Sequence, residues 1–509
     1  MKILLGIDAG TTSVKAGLFA SDGRMLGLSR EEYRLETPSV ERAQLDPQIY
    51  WEACIKTVGR AIDQAGVQPN DIQALGVSSQ GETTITLDRS GNAIYPAMVW
   101  LDNRATAQAA RLAERFSSQV YEVCGIQEIT PTWTACKLLW LRENEPEVFA
   151  RAWRFMLVQD FLIYKMTGLP VTDGSVASTT ALYDIRSHIW WPKMLAAIGV
   201  ESSQLPEILP PGSQVGTLTT QAAEALGLNP ATIVVNCGMD QSCGAIGAGN
   251  ISSGTISEST GAALGIHATI PSPALDPQKM IPVCYHSVPG KYLFAPVCPT
   301  AGMALKWLRD TFFLAEMRAE VTSHIDTYDL MTGLAAQTAP GAEGLVLLPH
   351  LMGANSPVSN PAARGVFSGF TLSHGRGHFV RAVLEGVAFM LRQNLETIQK
   401  AGVPVLELRS TGGGSRSPLW NQIKADVCKL PLLTEASEDT ALLGDAILAG
   451  VACGIYISID EACKKMVVIK EKFFPSENAE YYELAYQRYC DLDASLGGYF
   501  RRNYSGSPE

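Results

Sequence analysis

The stretch that decides the fold reads Ile7-Asp8-Ala9-Gly10-Thr11-Thr12-Ser13-Val14-Lys15. It lies in a predicted β-hairpin over residues 2–20, with strands on both sides of the turn Asp8–Ser13. Small residues in such a turn expose backbone N–H groups, which bind phosphate oxygens. The turn therefore supplies the candidate phosphate-binding residues Gly10, Thr11, Thr12 and Ser13. Asp8 is a candidate Mg²⁺ ligand because carboxylate oxygens are hard donors, although a purely structural turn is the alternative.

A second aspartate lies between glycines in Gly238-Met239-Asp240-Gln241-Ser242-Cys243-Gly244-Ala245, at the start of a predicted helix. A carboxylate at a helix N-terminus stays ionised. Asp240 is therefore the candidate base that takes a proton from an attacking hydroxyl, with a plain N-cap as the alternative. Residues 252–270 repeat the plan of the first hairpin, with Thr260 and Gly261 in the turn. The repeat predicts two related α/β halves, residues 1–248 and residues 249–509.

A third turn, Thr411-Gly412-Gly413-Gly414-Ser415, follows a strand-like run and leads into a helix that contains Asn421. Consecutive glycines let the backbone approach a flat ligand closely. The order strand, glycines, helix is typical of nucleotide sites. We therefore predict that an adenosine site is formed by Gly412, Gly413, Gly414 and Asn421; a merely flexible turn is the alternative.

Polar side chains follow short strands in the first half and are predicted to face a cleft: Gln80, Glu82, Asp102 and Arg104. Carboxylates accept hydrogen bonds from hydroxyl groups, and a guanidinium group donates them. The set therefore suits a polyhydroxylated ligand, while ordinary surface polarity is the alternative for each residue alone. Together with the two aspartates and the glycine turns, these residues predict an ATP-dependent kinase of a small hydroxylated substrate.

The composition is that of a globular chain of several domains, with 509 residues, 46% hydrophobic and 18% charged. A formal net charge of −11 argues against nucleic acid or an anionic membrane surface as the main partner. The apolar runs are too short for a membrane span or a signal peptide. The 11 cysteines are scattered without a CxxC pair. This pattern is typical of reduced thiols, so we expect a cytoplasmic protein.

Together these features resemble the FGGY carbohydrate kinases of the hexokinase–actin superfamily, over residues 3–490. Two stretches fit the family signatures: Trp133–Asn144, preceded by an unusual Thr132, and Gly365–Glu385, in which Phe370 replaces the usual aliphatic residue. The resemblance implies an α/β fold with two ribonuclease-H-like (actin-like ATPase) domains around a central cleft. It also implies that Asp240 is the catalytic base and that Asp8 serves the Mg²⁺–phosphate site. ATP is assigned to Thr260, Gly261, Gly412 and Gly413.

The acceptor-binding segment resembles more than one branch of this family. Ser79–Ile85 and Asp240-Gln241 look like glycerol kinases, which carry arginine where this chain has Gly81 and tyrosine where it has Thr132. Xylulokinases carry Met-His where this chain has Gly81-Glu82. The smaller residues predict room for a longer acceptor, held by Gln80, Gly81, Glu82, Asp240 and Gln241.

The C-terminal half is similar to xylulokinases and to autoinducer-2 kinases, including Ala301–Asp310. We therefore expect a xylulokinase-like enzyme that phosphorylates a terminal hydroxyl of a pentulose, with ATP and Mg²⁺. The alternatives are a kinase of a polyol such as glycerol or erythritol, or of the autoinducer-2 precursor. More distant alternatives are a non-catalytic nucleotide-gated sugar sensor and a filament-forming relative. Homodimers are common among such kinases, so a homodimer is possible for this chain.

Overall fold

Two large β-sheets form the frames of the two halves. The computed structural model describes residues 2–273, 276, 278–323 and 325–504, and its first large sheet has six strands. We label them β1 to β6: Ile3–Ala9, Ser13–Ala20, Met25–Glu32, Ile72–Ser79, Ser213–Thr217 and Ile233–Met239. Their order is β5-β6-β4-β1-β2-β3, and β1, β4 and β6 run parallel. The predicted first hairpin is confirmed, because β1 pairs antiparallel with β2.

The second sheet repeats this plan with eight strands. We label them β7 to β14: Gly254–Thr260, Leu264–Ile270, Val283–Tyr285, Tyr292–Phe294, Val297–Cys298, Val405–Thr411, Leu432–Glu435 and Ile469–Phe473. The order is β9-β10-β8-β7-β12-β13-β14, and β11 pairs with β8. The second predicted hairpin is confirmed as β7 and β8. Strand β7 runs parallel to β12, just as β1 runs parallel to β4, so the predicted repeat has a structural counterpart.

Seven helices support the site, and we label them α1 to α7: Pro47–Ala65, Thr134–Asn144, Val158–Thr167, Asp240–Gly247, Arg376–Lys400, Pro418–Cys428 and Thr440–Ala452. Helix α1 contains apolar residues at helical spacing, which pack on the first sheet. Its N-cap, Asp46, accepts a hydrogen bond from the backbone N–H of Gln48, and Gly66 ends it with a φ of 62°. Most apolar residues along α5 are buried, as in a core helix, and Phe379 near its start is partly buried.

Helix α7 comes from the C-terminal part of the chain but packs on the first sheet. Leu4 and Val235 of that sheet share a buried cluster with Leu442 and Ile447 of α7. Contact is so close at Gly6 that a Cβ there would collide with the carbonyl of Leu442. The opposite face of the sheet packs on α1 and α3. The division of the chain between residues 248 and 249 stays a prediction. Helix α7 belongs to the second half by sequence but packs on the sheet of the first half.

Smaller sheets and further helices surround these frames. A five-stranded sheet has the order Glu36–Ser39, Arg42–Leu45, Ala93–Met98, Thr84–Leu87 and Arg154–Met156. Two-stranded sheets pair Val171–Asp173 with Glu207–Leu209, Tyr183–Asp184 with Ile189–Trp190, and Val346–Leu348 with Val366–Ser368. The other α-helices are Thr106–Cys124, Pro146–Arg151, Gly174–Ala177, Pro192–Ile198, Thr220–Leu226, Gly302–Phe312, Leu314–Ser323, Thr327–Ala336, Ile459–Met466 and Asn478–Tyr504. Within the described ranges, no helix combines the length and apolar character that a membrane span requires.

Candidate active site

The carboxyl ends of β1, β4 and β6 lie side by side at one edge of the first sheet. Asp8 of β1 pairs with Ser78 of β4, and Gly238 of β6 pairs with the same serine. Neighbouring strands lie about 4.8 Å apart, so the segments that follow these strands emerge close together. The register therefore brings together Asp8, the Gln80–Glu82 loop and Asp240.

Asp8 is a buried carboxylate in which one oxygen is hydrogen-bonded and the other is not. Its Oδ2 accepts a hydrogen bond from Nζ of Lys15 at 3.3 Å, and its Oδ1 has no partner among the described residues. Burial raises the pKa of Asp8, and Lys15 opposes that shift. The same ammonium group lies 2.8 Å from Oδ2 of Asp439, the N-cap of α7.

The residues around Asp8 fit a hydrated Mg²⁺ ion. An orphaned, buried carboxylate oxygen is a suitable hard ligand, and Mg²⁺ in nucleotide sites keeps several waters and binds phosphate oxygens. Within the described part of the chain, no three His, Cys, Asp or Glu side chains form a metal-binding group. The protein would therefore contribute few ligands, Asp8 among them, and water and phosphate would supply the others.

The turn after Asp8 is closed by its own backbone. The N–H of Gly10 donates to the carbonyl of Ser13 at 3.0 Å. Ser13 is buried in β2, Thr11 is partly exposed and Thr12 is exposed. The hydroxyl of Thr11 also accepts a hydrogen bond from the indole Nε1 of Trp100 at 2.8 Å. Thr11 and Thr12 are thus the accessible hydroxyls of the predicted phosphate turn.

Asp240 is the first residue of α4 rather than its N-cap, which is Met239. Its Oδ1 accepts a hydrogen bond from the backbone N–H of Gln241 at 2.6 Å. Burial, with a further contribution from Asp8, raises the pKa of Asp240 to about 7. The expectation that a helix N-terminus keeps Asp240 fully ionised is therefore wrong near neutral pH, because burial outweighs the helix dipole. A carboxyl group that titrates near neutral pH still suits a general base, because it accepts a proton readily and is substantially ionised.

A buried polar network holds the turn that leads into Asp240. Gln159 of α3 donates from Nε2 to Oδ2 of Asp173 at 2.8 Å, and its Oε1 accepts from the N–H of Gly238. Ser175 accepts from the N–H of Met239 at 2.9 Å and donates to Oδ1 of Asp173 at 2.6 Å. Gly238 itself has a φ of 107°, a conformation that favours glycine. These hydrogen bonds therefore fix the backbone of Gly238 and Met239, from which the side chain of Asp240 follows.

The second half places two predicted nucleotide turns next to each other. Ser259 of β7 pairs with Thr411 of β12, so the turns at Thr260 and Gly412 are neighbours. Gly412 has a φ of 76°, and a Cβ there would lie 3.0 Å from the carbonyl oxygen of Thr260. A cavity of about 560 Å³ opens beside them, a size typical of ligand sites. Its walls include Thr260, Gly261, Met303, Lys306, Gly413 and Gly414.

Asn421 lies behind this cavity and supports the glycine turn. It is buried, and its Nδ2 donates to the carbonyl of Ser415 at 2.7 Å. A fully buried ion pair lies beneath Thr260, where Nζ of Lys424 is 2.6 Å from Oε1 of Glu258. The same ammonium donates to the hydroxyl of Thr260 at 2.8 Å. The backbone of the predicted nucleotide turns therefore has a buried polar support comparable to the one behind Asp240.

A separate cavity of about 550 Å³ lies beside the predicted acceptor-binding residues Glu82 and Gln241. Its walls come from both halves and include Glu82, Trp133, Thr179, Gln241 and His267. Burial raises the pKa of Glu82 to about 7, and Oε1 of Gln241 accepts a hydrogen bond from Nε2 of His267 at 3.1 Å. Burial lowers the pKa of His267 to about 4, so this ring is neutral near pH 7.

Gly81 does not leave open space in this cavity. A Cβ at position 81 would lie 2.6–2.7 Å from the side-chain atoms of Thr179, so the space freed by glycine is occupied. Gln80 is buried and donates from Nε2 to the hydroxyl of Tyr50 at 3.1 Å. Thr132 shares a hydrogen bond of 2.7 Å with Thr130.

Asp102 and Arg104 are placed differently from the cleft-facing position that was predicted. They form a buried ion pair, with Nη2 of Arg104 2.7 Å from Oδ2 of Asp102. Asp102 also accepts from the N–H of Ala43 at 2.8 Å, and Arg104 donates to Gln44 and Tyr95. Their hydrogen-bonding groups are thus occupied by protein, which favours bracing over direct substrate contact. The substrate-binding role assigned to them stays a prediction.

Sequence reasoning did not assign Lys15, although Lys15 stands in the opening motif. Asp8 and Lys15 are cross-strand partners in the first hairpin, so the hairpin register contained the signal. Lys137 lies inside the signature stretch Trp133–Asn144, but its residue type alone gave it no role. Its complete burial in the apolar run of α2 is unusual for a lysine. Nothing in the sequence singled out Thr179, because its contacts with the Gln80–Glu82 loop depend on the tertiary fold.

Comparisons with known proteins agree with this arrangement. The chain is 28% identical to the xylulose kinase of Bacillus subtilis (strain 168), over 99% of this chain and 100% of that protein. It is 29% identical to the gluconokinase of the same organism, over 94% and 92%. The crystal structure of a xylulose kinase from Rhodospirillum rubrum superposes with a TM-score of 0.89 and 27% identity, over 98% and 100%. The predicted two-domain, actin-like ATPase fold is confirmed by this superposition.

Two family matches cover most of the chain. Residues 3–247 match the N-terminal domain of the FGGY family of carbohydrate kinases, and residues 255–453 match the C-terminal domain of the same family. The non-catalytic and filament-forming alternatives lose their support, because the matched family is one of enzymes. The chain belongs to the FGGY family of carbohydrate kinases.

Proposed function

We propose that this enzyme transfers the γ-phosphoryl group of ATP to a terminal hydroxyl of a pentulose-sized sugar. The observation that carries the proposal is the position of Asp240. It follows β6, while Asp8, on the proposed nucleotide side, lies near the end of β1 and Glu82, on the proposed acceptor side, follows β4. A base between a phosphate site and a hydroxyl site is the arrangement that phosphoryl transfer needs.

Asp240 would accept the proton of the attacking hydroxyl. Its pKa of about 7 makes it a competent base near neutral pH. The turn residues Thr11, Thr12, Thr260 and Gly261 would hold phosphate oxygens through hydroxyl and N–H groups. Asp8 would hold Mg²⁺ through its free Oδ1. When bound, that ion neutralises phosphate charge and orients the transferred group.

The acceptor cavity favours a neutral polyhydroxylated molecule. Its described lining residues carry two carboxyl groups, on Glu82 and Glu128, and one ammonium group, on Lys279, so the lining has no excess of positive charge. The carboxyl of Glu82 accepts hydrogen bonds from hydroxyls, while Gln241 offers both a donor and an acceptor. This balance supports a ketose or polyol over an aldonate, although a gluconokinase is among the similar proteins.

An ADP-release assay with ATP and Mg²⁺ tests the proposal. The acceptors are D-xylulose, L-xylulose, D-ribulose, L-ribulose, erythritol, D-threitol, glycerol, D-gluconate and the autoinducer-2 precursor. We expect saturable turnover with a pentulose and no more than weak turnover with D-gluconate. Preferred turnover of a polyol or of the autoinducer-2 precursor would replace the pentulose assignment with that alternative. No turnover with any acceptor would overturn the proposed function.

The cellular setting belongs to the same proposal. All 11 cysteines are free thiols, which supports a reducing compartment and the predicted cytoplasmic location. A small sugar or polyol is the proposed partner, with neither nucleic acid nor membrane involved. The homodimer suggested by the resemblance is kept as a proposal, and sedimentation of the purified enzyme would test it.

A further inference from the structure

Glu82 has an unusual backbone for a residue with a side chain. Its φ is 53°, in the left-handed region that favours glycine. A glycine would adopt this conformation without strain, and Gly81 is the preceding residue. The strained position is nevertheless occupied by glutamate rather than by that glycine. Strained backbone at a ligand cavity persists only where the surroundings hold it in place. The supports on each side of Glu82 therefore determine where its carboxyl group points.

Lys137 of α2 supports the carbonyl side of Glu82. Its fully buried ammonium donates to the carbonyl of Glu82 at 3.1 Å and to that of Val99 at 2.9 Å. The hydroxyl of Thr134, one turn earlier in the helix, donates to the same Glu82 carbonyl at 3.3 Å. Burial lowers the pKa of Lys137 to about 8, and nearby Glu82 opposes the shift. Burying an ammonium group costs free energy. The hydrogen bonds to the carbonyls of Glu82 and Val99 offset that cost.

Thr179 supports the amide side of Glu82. Its Oγ1 accepts a hydrogen bond from the N–H of Glu82 at 3.1 Å and donates to the carbonyl of Val176 at 2.7 Å. The hydroxyl of Thr179 therefore acts as both acceptor and donor, and it links the Gln80–Glu82 loop to the backbone at Val176. The side chain also packs where a Cβ at Gly81 would lie. Thr179 thus holds the loop through one hydrogen bond and through close packing.

We propose that Lys137 and Thr179 are positioning residues that fix the two peptide groups flanking Glu82 and so aim its carboxyl group at the acceptor. Neither side chain needs to touch the reacting atoms. Lys137 also joins the loop to Val99, the residue before Trp100, whose indole contacts Thr11 of the phosphate turn. This inference rests on the proposed function, because its subject is the acceptor of that reaction.

Kinetics of three variants tests the proposal. Thr179→Val keeps the shape and removes the hydroxyl, Thr179→Ser keeps the hydroxyl, and Lys137→Met keeps the chain length and removes the donors. KM for the acceptor is measured at saturating ATP, and KM for ATP is measured at saturating acceptor. We expect Thr179→Val and Lys137→Met to raise the acceptor KM roughly tenfold. We expect Thr179→Ser to stay within about twofold of the wild type for both substrates.

The split between the two KM values separates positioning from a general loss of structure. A loss of folded enzyme lowers kcat and leaves both KM values unchanged, whereas misdirection of Glu82 raises only the acceptor KM. If Lys137→Met does not fold, Thr179→Val still decides the question. An unchanged acceptor KM in Thr179→Val, with an active wild type, would overturn this inference alone. A wild type that is inactive on every acceptor would overturn the proposed function and this inference with it.

Discussion

The assignment of Asp240 as the base predicts how the rate depends on pH. Burial first, and the nearby carboxylate of Asp8 second, raise the pKa of Asp240 to about 7. Only the ionised carboxylate accepts a proton. With that pKa, about a tenth of the Asp240 groups are ionised at pH 6 and about nine-tenths at pH 8. We therefore expect kcat/KM for the acceptor to rise about tenfold across this interval and then to level off.

Glu82 titrates in the same range, because burial also raises its pKa to about 7. Glu82→Gln removes that titration while keeping a polar side chain in the acceptor cavity. The variant should bind the acceptor more weakly but should keep the rise in rate between pH 6 and pH 8. Asp240→Asn should lower kcat at least about a hundredfold, since a positioned base contributes that much or more.

The same ADP-release assay, run from pH 5.5 to pH 9 in buffers of constant ionic strength, measures these profiles. Thermal melting of both variants serves as the control for folding, because neutral amides replace carboxyl groups of raised pKa at little cost. A flat profile in Glu82→Gln would refute the assignment of the titrating group to Asp240. More than about a tenth of the wild-type kcat in Asp240→Asn would refute its role as base.

Three substitutions test the supports of the site. Lys424→Met leaves the carboxylate of Glu258 buried without its ammonium partner, and should lower the free energy of unfolding in urea by about 3–5 kcal/mol. Adding Glu258→Gln should recover part of that loss, and a double variant no more stable than the single one would contradict this account. Gly412→Ala should raise KM for ATP about tenfold, because its φ is 76° and the carbonyl of Thr260 is close. Gly402→Ala, with a φ of 86° and open space around it, is the matched control and should leave that KM unchanged. Asp160 of α3 is buried and accepts a hydrogen bond from the N–H of Leu157 at 2.9 Å, and burial raises its pKa to about 7. A raised carboxyl pKa favours the folded state at acidic pH, and this contribution is lost progressively as pH rises from the ordinary aspartate range, about 4, to about 7. Asp160→Asn should flatten the fall in melting temperature between pH 5 and pH 7, and an unchanged slope would contradict the assignment of that fall to Asp160.

Local elements could be predicted because their causes are local. The hairpin β1–β2 follows from β-rich runs around a small polar turn, and α1 follows from apolar spacing between Asp46 and Gly66. The same reasoning located Asp8, Asp240 and the glycine turns. It did not predict the buried ion pair of Asp102 and Arg104, because residue type alone does not distinguish a substrate contact from an ion pair.

The remaining parts of the site depend on contacts between distant segments. Lys15 and Asp439 are 424 residues apart in sequence and 2.8 Å apart in the structure. Thr179 meets Gly81 across 98 residues because both segments pack at the acceptor cavity. Helix α7 returns to the first sheet from the far end of the chain. No pattern within a single window of sequence encodes such contacts, since each depends on how complete elements pack.

In both halves, a turn of the candidate site is held in place by a buried network of polar side chains. Gln159 and Asp173 hold the turn before Asp240, and Lys424 with Glu258 holds Thr260. A buried charge or amide is tolerated only with its partners in place, so these supports restrict the turns to one geometry. Phosphoryl transfer gains most from such fixed positioning. Part of the acceptor cavity wall is less restricted, because Gln127, Glu128 and Val358 line it with exposed side chains. A change of acceptor would therefore be easier to accommodate at the wall than in the turns, where any shift would disturb Asp8 and Asp240 together.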